Sequence, residues 1–332
     1  MTDRPRVDLI FTGGTIDSVG VDRLDLAWYI EAGKRLADGE LVERVPELGS
    51  VADVREVPFR RLPSQSITDD DLFDLVRAIH AAFEDGADGV VITHGTNTLE
   101  ETAYFLHLTL RTDRPVVVVG AMRPSSAISA DGYLNLFNGV RVAAEPTSAG
   151  MGVLVVLNDT IHSARDVTKT ATYRVETFQA RDLGPLGYAD NDGRVLFYHR
   201  PMRPHTSATE FDLAHLAVLP RVDVVVSYLG ADGTMIDAAV AAGARGIVSA
   251  GTGAGRPTPS EIEALDRASA AGVLIAQGTR VGSGRTVRSP GLRRRGWVAT
   301  DNLQPWKARI LLRLALATTT DPDEIQRIVD TY

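Results

Sequence analysis

The sequence predicts an α/β fold: a doubly wound, mostly parallel sheet in a large N-terminal domain, followed by a second, smaller α/β domain. Three observations lead there. Short apolar, β-branched runs recur along the chain, each followed by a polar loop and then a helix-like stretch, as in a parallel sheet. Residues 89–110, GVVITHGTNTLEETAYFLHLTL, contain one such unit whole. Residues 198–220, with three prolines and no strong period, then interrupt the alternation before it resumes on a smaller scale.

In the complete unit, Val90, Val91 and Ile92 read as a strand buried on both faces, and Gly95 breaks it. From Leu99 the apolar positions Leu99, Ala103, Leu106 and Leu110 take helical spacing, while Glu100 and Glu101 suit the positive end of a first turn. Thr96, Asn97 and Thr98 therefore sit at a strand-to-helix turn, the place where open α/β sheets bind ligands. Along the chain, residues 7–11 form the first strand, ending in Thr12-Gly13-Gly14-Thr15. Residues 22–48, polar and helix-compatible, with Tyr29, Gly33 and Lys34 inside, read as a flap. Residues 54–59 are the second strand, followed by Pro63-Ser64-Gln65-Ser66 and a helix capped by Thr68 with Asp69, Asp70 and Asp71 in its first turn. The strand at 90–94 is third, 115–119 fourth and 153–157 fifth, the last ending in Asn158-Asp159. The expected division is a catalytic domain at 1–200, a linker at 201–220 and a C-terminal domain at 221–332. Within the last, strands at 222–226, 246–250 and 273–276 alternate with helices at 238–242 and 260–271, and helices at 305–317 and 322–332 cover the sheet.

Composition limits the function. With 332 residues, 44% hydrophobic and 23% charged, the chain has ample core for two domains. A formal net charge of −8 argues against nucleic acid as a partner, because neutralising phosphates needs a basic surface. Zero cysteines exclude disulfides, thiolate metal sites and a Cys nucleophile together. No apolar run approaches membrane-spanning length, and none of signal-peptide length precedes the first strand, so the expectation is a cytoplasmic protein with no membrane partner.

Thr12, Thr15, Ser64, Gln65, Thr96 and Asn97 all follow strand ends, and in a parallel sheet they converge on one edge. Each alone is bland, since a turn threonine is most often a cap. Gly13-Gly14 could cradle a phosphate but lacks the spacing of GxGxxG or GxxxxGK[ST], and neither HExxH nor GxSxG occurs. His94 reads as structural, and no metal site is expected. A threonine hydroxyl needs a base to become a nucleophile. Lys169, a lone lysine among small and polar residues, reads either as a solvated side chain or, if desolvated in the crevice, as a base for Thr96.

At these residues the chain resembles the bacterial L-asparaginases and glutaminase-asparaginases over almost its whole length. The resemblance is carried by TGGTI at 12–16, Ser64-Gln65, THGTNTLEETAYFL at 93–106, VGAMRP at 119–124, SADGYLNLFNGV at 129–140 and VLNDTIHSARDVTKT at 156–170, with IVSAGTGAG at 247–255 and KARILLRLAL at 307–316. It implies hydrolysis of the side-chain amide of a small molecule to acid and ammonia without a cofactor, by a homotetramer built from tight dimers. It puts the nucleophile on Thr12, the lysine-assisted second threonine on Thr96 with Lys169, and the substrate carboxylate on Ser64 and Gln65. Gly95 belongs to the same substrate-binding turn. Tyr29 is an approximate counterpart of the flap tyrosine, one residue out of register with Gly33-Lys34.

The departures concern the substrate's α-ammonium. The resemblance implies an aspartate after the second threonine, and here it is Asn97; a small-domain asparagine is replaced by Ala254. Residues 267–300, where the family places a glutamate, contain no Asp or Glu but carry Arg280, Arg285, Arg288, Arg293, Arg294 and Arg295. That basic run reads as a solvated loop or as a site for an anionic substrate. L-Asparagine is the default substrate, an amide lacking a free α-amino group the alternative. A catalytically weak binding homologue and an ammonia-donating amidotransferase subunit are the readings from other classes.

Overall fold

In the computed structural model, which describes residues 4–216 and 218–332, the apolar runs become strands. They fall into two units, one ending at Thr209 and the other beginning at Glu210. The segment expected as a linker is divided at that point. Thr209 Oγ1 donates to Leu108 O at 2.7 Å within the first unit, while Phe211 is fully buried in the second.

The first unit is built on an eight-stranded sheet: β1 (Arg6–Phe11), β2 (Asp53–Val57), β3 (Gly89–Thr93), β4 (Val116–Val119), β5 (Val153–Leu157), β6 (Thr160–Ser163), β7 (Gly187–Ala189) and β8 (Val195–Phe197). In space the order is β2-β1-β3-β4-β5-β6-β7-β8. The first five strands are parallel to their neighbours, and β6, β7 and β8 extend the sheet antiparallel. Every residue of β3, β4 and β5 is buried, as their unbroken apolar sequences require of strands covered on both faces. Leu9, Val91, Val117 and Leu154 join one core cluster with Leu136 and Val140 of helix Gly132–Ala144. Period-two alternation turns Ile10, Ile92, Val118 and Val155, all 0% exposed, to the opposite face. Helix α1 (Asp69–Glu84) starts at the predicted cap: Thr68 Oγ1 accepts from Asp71 N and the Asp71 carboxylate accepts from Thr68 N, a reciprocal pair worth about 1 kcal/mol. Helix α2 (Leu99–Thr109) follows β3 as the periodicity requires.

Two departures from expectation have local causes. The second strand ends at Val57 rather than at 59, just before Pro58, whose ring withdraws a ladder donor. After β5, Asn158 and Asp159 take positive φ of 51° and 60°, and Leu157 pairs with Thr160. That is a two-residue hairpin turn rather than the loop of a crossover, and asparagine and aspartate tolerate its left-handed backbone best. The second unit holds a four-stranded parallel sheet, β9 (Val222–Val226), β10 (Gly246–Gly251), β11 (Leu274–Thr279) and β12 (Val298–Ala299), in that order. Helices Thr234–Ala241, Pro259–Ala270, Pro305–Leu316 and Pro322–Thr331 accompany it, and its own core gathers Ile236, Ile247, Leu265, Ile275 and Trp297. No helix among the described residues is long and apolar enough to cross a membrane.

Candidate active site

Strand order positions the site. From β1 the chain passes to β2 on one side of the sheet, then to β3 on the other, so β1 and β3 are neighbours whose loops diverge. This is a topological switch point, where a crevice opens beyond the carboxyl ends of the strands. Phe11 pairs with Thr93, so Thr12-Gly13-Gly14-Thr15 and His94-Gly95-Thr96-Asn97 leave the sheet side by side. Gly13 and Gly14, at φ 94° and 113°, turn the first loop over the second. A Cβ on Gly14 would lie 2.6 Å from Gly95 Cα, so only glycine allows this backbone-to-backbone approach.

The two glycines separate the two threonines. Thr12 Oγ1 donates to Thr93 O at 2.7 Å, its N–H reaches the same oxygen at 3.2 Å, and the residue is 2% exposed. The hydroxyl expected to be the nucleophile is thus turned into the strand ends and engaged there, an orientation that does not favour attack on a substrate. Thr15, beyond the glycines, is half-buried, and its Oγ1 lies 2.9 Å from the Tyr29 hydroxyl. Tyr29 meets Thr15 rather than Thr12. Burial pushes the Tyr29 phenol above its ordinary pKa, so it stays protonated at neutral pH. Tyr29 reaches inward because the segment carrying it is anchored by an antiparallel pair, Ser18–Val19 with Lys34–Arg35.

On the second loop, Thr96 is 6% exposed and its Oγ1 accepts from Lys169 Nζ at 2.8 Å. Lys169 is held by the short pair Thr168–Lys169 and Phe178–Gln179 and by Glu100 Oε1, which accepts its backbone N–H at 3.0 Å. Burial lowers the pKa of the amine, with the Glu100 charge opposing the shift. An amine so placed holds its proton less firmly than a solvated lysine and can take one from a hydroxyl.

The 3₁₀ turn Ser64–Ser66 closes the third side. Thr98 Oγ1 donates to Ser64 O at 2.8 Å, and Asn97 Nδ2 donates to Gln65 Oε1 at 3.1 Å. Ser64 is 4% exposed and packs on Gly95, where a Cβ would come within 2.8 Å of its Oγ. That Oγ has no hydrogen-bond partner among the described residues. Thr12, Thr15, Thr96, Gly95 and Asn97 thus lie on the two loops that leave β1 and β3 side by side, with Tyr29 bonded to Thr15, Lys169 to Thr96, Gln65 to Asn97, and Ser64 packed on Gly95. Among the described residues no group of three His, Cys, Asp or Glu could hold a metal ion. His94, fully buried, turns Nδ1 to Gly95 O at 2.8 Å, and burial pushes its pKa down to about 4.

The sequence reading gave Thr15 no role of its own. The available signal was the second hydroxyl of T-G-G-T, which two adjacent glycines can swing clear of the sheet. Four of the six arginines of the second unit's run are committed locally: Arg285 pairs with Asp301, Arg288 with Asp323 and Arg295 with Asp266, while Arg280 donates to Ser227 O. Those pairs favour the solvated-loop reading over an anionic-substrate site.

The asparaginase N-terminal family model matches residues 6–203, and the glutaminase/asparaginase C-terminal domain model matches 221–329. The chain belongs to the asparaginase family. It is 43% identical to "L-asparaginase 2" of Escherichia coli (strain K12) over 99% of this chain and 93% of that one. It is 41% identical to "Probable L-asparaginase periplasmic" of Haemophilus influenzae, over 99% and 94%. The crystal structure of a "Probable Cytoplasmic L-asparaginase" from Campylobacter jejuni superposes with a TM-score of 0.89 at 38% identity, covering 99% of this chain and all of that one. As an asparaginase-type amidohydrolase, the protein acts on small carboxamides. Thr12, Thr15 and Thr96 stand beyond the carboxyl edge of the parallel strands β1 and β3.

Proposed function

We propose that this enzyme hydrolyses the side-chain amide of L-asparagine with a threonine nucleophile, and that the nucleophile is Thr15. The observation that carries the reading is the Lys169 Nζ to Thr96 Oγ1 bond of 2.8 Å, set across the switch point from a half-buried Thr15 hydroxyl bonded to Tyr29. Thr15 Oγ attacks the carboxamide carbon, and its proton passes by way of Thr96 to the neutral Lys169 amine. The tetrahedral intermediate collapses as the amide nitrogen takes that proton and leaves as ammonia, and Thr15 holds the acyl group as an ester. Water then adds to the ester carbon with the same base taking its proton, the carboxylate leaves, and Thr15 regains its hydrogen. N–H groups of the turn after β3 are suited to steady the oxyanion in both steps. Tyr29, kept protonated, holds Thr15 Oγ in line. The unpartnered Ser64 hydroxyl, beside Gln65, is suited to receive the substrate's carboxylate.

Asn97 favours a second reading of the substrate. It is neutral and already donates to Gln65, so it offers an α-ammonium no counter-charge. A charge-assisted hydrogen bond lost there is worth roughly 1.5–3 kcal/mol, about ten- to a hundredfold in affinity. An amide without a free α-amino group, such as a succinamate, forgoes nothing at this position. Ammonia release from a panel of L-asparagine, L-glutamine, succinamate and N-acylated asparagine decides between the two. Low-millimolar or better turnover of L-asparagine removes the second reading. Trapping with an electrophilic amide analogue, followed by peptide mass spectrometry, reads the nucleophile: the adduct is expected on Thr15. An adduct on Thr12 or Thr96 overturns the assignment, and no adduct together with no ammonia from any amide leaves a binding homologue. We further propose a cytoplasmic homotetramer built from tight dimers. Light scattering then gives four times the 35.7 kDa of one chain, and a monomer mass refutes it.

A further inference from the structure

One buried acid beside the site has no part in the scheme above. Glu100 stands in the first turn of α2, 6% exposed. Its Oε1 accepts the Lys169 N–H, and its Oε2, also buried, has no hydrogen-bond partner among the described residues. A buried carboxylate oxygen without a donor costs stability unless an opposite charge faces it, and Lys169 is a cation on which the Glu100 charge acts. Charged and neutral groups on the neighbouring elements are as follows. Upstream on the Lys169 segment, Arg165 and Asp166 pair with each other at 2.9 Å. The strand opposite presents Phe178 in register with Lys169, and the turn that carries Thr96 presents the neutral Asn97. Glu101 follows Glu100 on α2 but is rotated about 100° round the helix.

We propose that Glu100 is a positioning residue for the amide hydrolysis: its buried bond to the Lys169 main chain aims the amine at Thr96, and it sets a carboxylate charge near the segment that carries that amine. Glu100 touches no substrate and acts wholly through Lys169. The proposal rests on reading Lys169 as the base. A carboxylate nearby favours the ammonium form, so removing its charge lets the proton leave at lower pH.

The test measures kcat and kcat/KM from about pH 5 to 10 with the best amide of the panel above, on the full chain and its Glu100→Gln, Glu100→Asp and Lys169→Met variants. Glu100→Gln keeps a carbonyl oxygen for the Lys169 N–H but loses the charge. Its plateau kcat is expected within about threefold of the parent, while the acid limb of kcat/KM moves down by about one pH unit. Glu100→Asp keeps the charge but falls a methylene short, so its limb stays while the plateau falls about tenfold. A Glu100→Gln limb that superimposes on the parent's, or a Glu100→Asp plateau equal to it, overturns the proposal. Should Glu100→Gln fail to fold, the Glu100→Asp plateau decides alone. Lys169→Met separates the two levels. If it keeps activity, the base reading itself fails. If it is inactive while the Glu100→Gln limb is unmoved, only the role of Glu100 falls.

Discussion

Thr12 Oγ1 donates its hydrogen bond to Thr93 O at 2.7 Å, whereas Thr15 Oγ1 shares a hydrogen bond with a phenol that burial keeps protonated. The same functional group thus has two fates three residues apart, decided by the backbone between them. Thr12→Val removes one buried hydrogen bond and little volume. Stability is expected to fall by about 1 kcal/mol and kcat to stay within about threefold. Thr15→Ala removes the proposed attacking oxygen, and kcat is expected to fall by at least about 10³-fold with the melting temperature nearly unchanged. Tyr29→Phe keeps the ring but loses the bond to Thr15, and about 10²-fold in kcat is expected to go with it. Steady-state ammonia release with thermal denaturation of each variant checks all three. A dead Thr12→Val beside an active Thr15→Ala reverses the assignment.

The element that makes this division is the loop after β1. Gly14 sits at φ 113°, and a Cβ there would be 2.6 Å from Gly95 Cα and 2.7 Å from Gly95 N, backbone atoms that cannot turn aside. Gly14→Ala therefore has to pry the β1 loop from the β3 loop, and roughly 2–3 kcal/mol of stability and most of the activity are expected to go together. Gly33→Ala is the control. Gly33 has a similar sign of φ, 62°, but nothing within 4 Å of the added carbon, so about 1 kcal/mol and near-parental kcat are expected. Equal losses from the two substitutions, by chemical denaturation and assay, refute the close-approach argument. The hairpin at Asn158-Asp159 works at the same scale. By reversing the chain after β5 it builds the antiparallel strands that complete the sheet, and the chain leaving β6 goes on to supply Lys169.

Across the whole molecule, the sequence disclosed what depends on pattern and withheld what depends on backbone direction. The all-buried strands β3, β4 and β5 were legible because a strand covered on both faces has to be apolar throughout, and Thr68 was legible because a cap acts within three residues. The antiparallel strands β7 and β8 were not, being three residues long with mixed polarity. Nor were the different orientations of the Thr12 and Thr15 hydroxyls, which follow from the positive φ of Gly13 and Gly14. Buried titratable groups were hidden for the same reason, and they set how stability follows pH. His94, fully buried with its pKa pushed down to about 4, binds its proton more weakly folded than unfolded, where the value is roughly 6.5. The folded state gains from it above pH 6.5 and loses that gain as pH falls toward 4, about 3 kcal/mol in all. Asp17 is 2% exposed, and neither carboxylate oxygen has a hydrogen-bond partner among the described residues. Burial raises its pKa against the opposing charges of Arg35 and Arg61, so its sign is opposite. Its contribution is whole below the unfolded carboxylate pKa and is lost as pH rises through the folded value. Asp17→Asn is therefore expected to raise the melting temperature at pH 7 to 8 and to do nothing near pH 3, below the carboxylate's unfolded pKa. Melting curves of parent and variant across that range test it, and an Asp17→Asn variant less stable than the parent at pH 8 would show that the two arginines outweigh the burial of the charge.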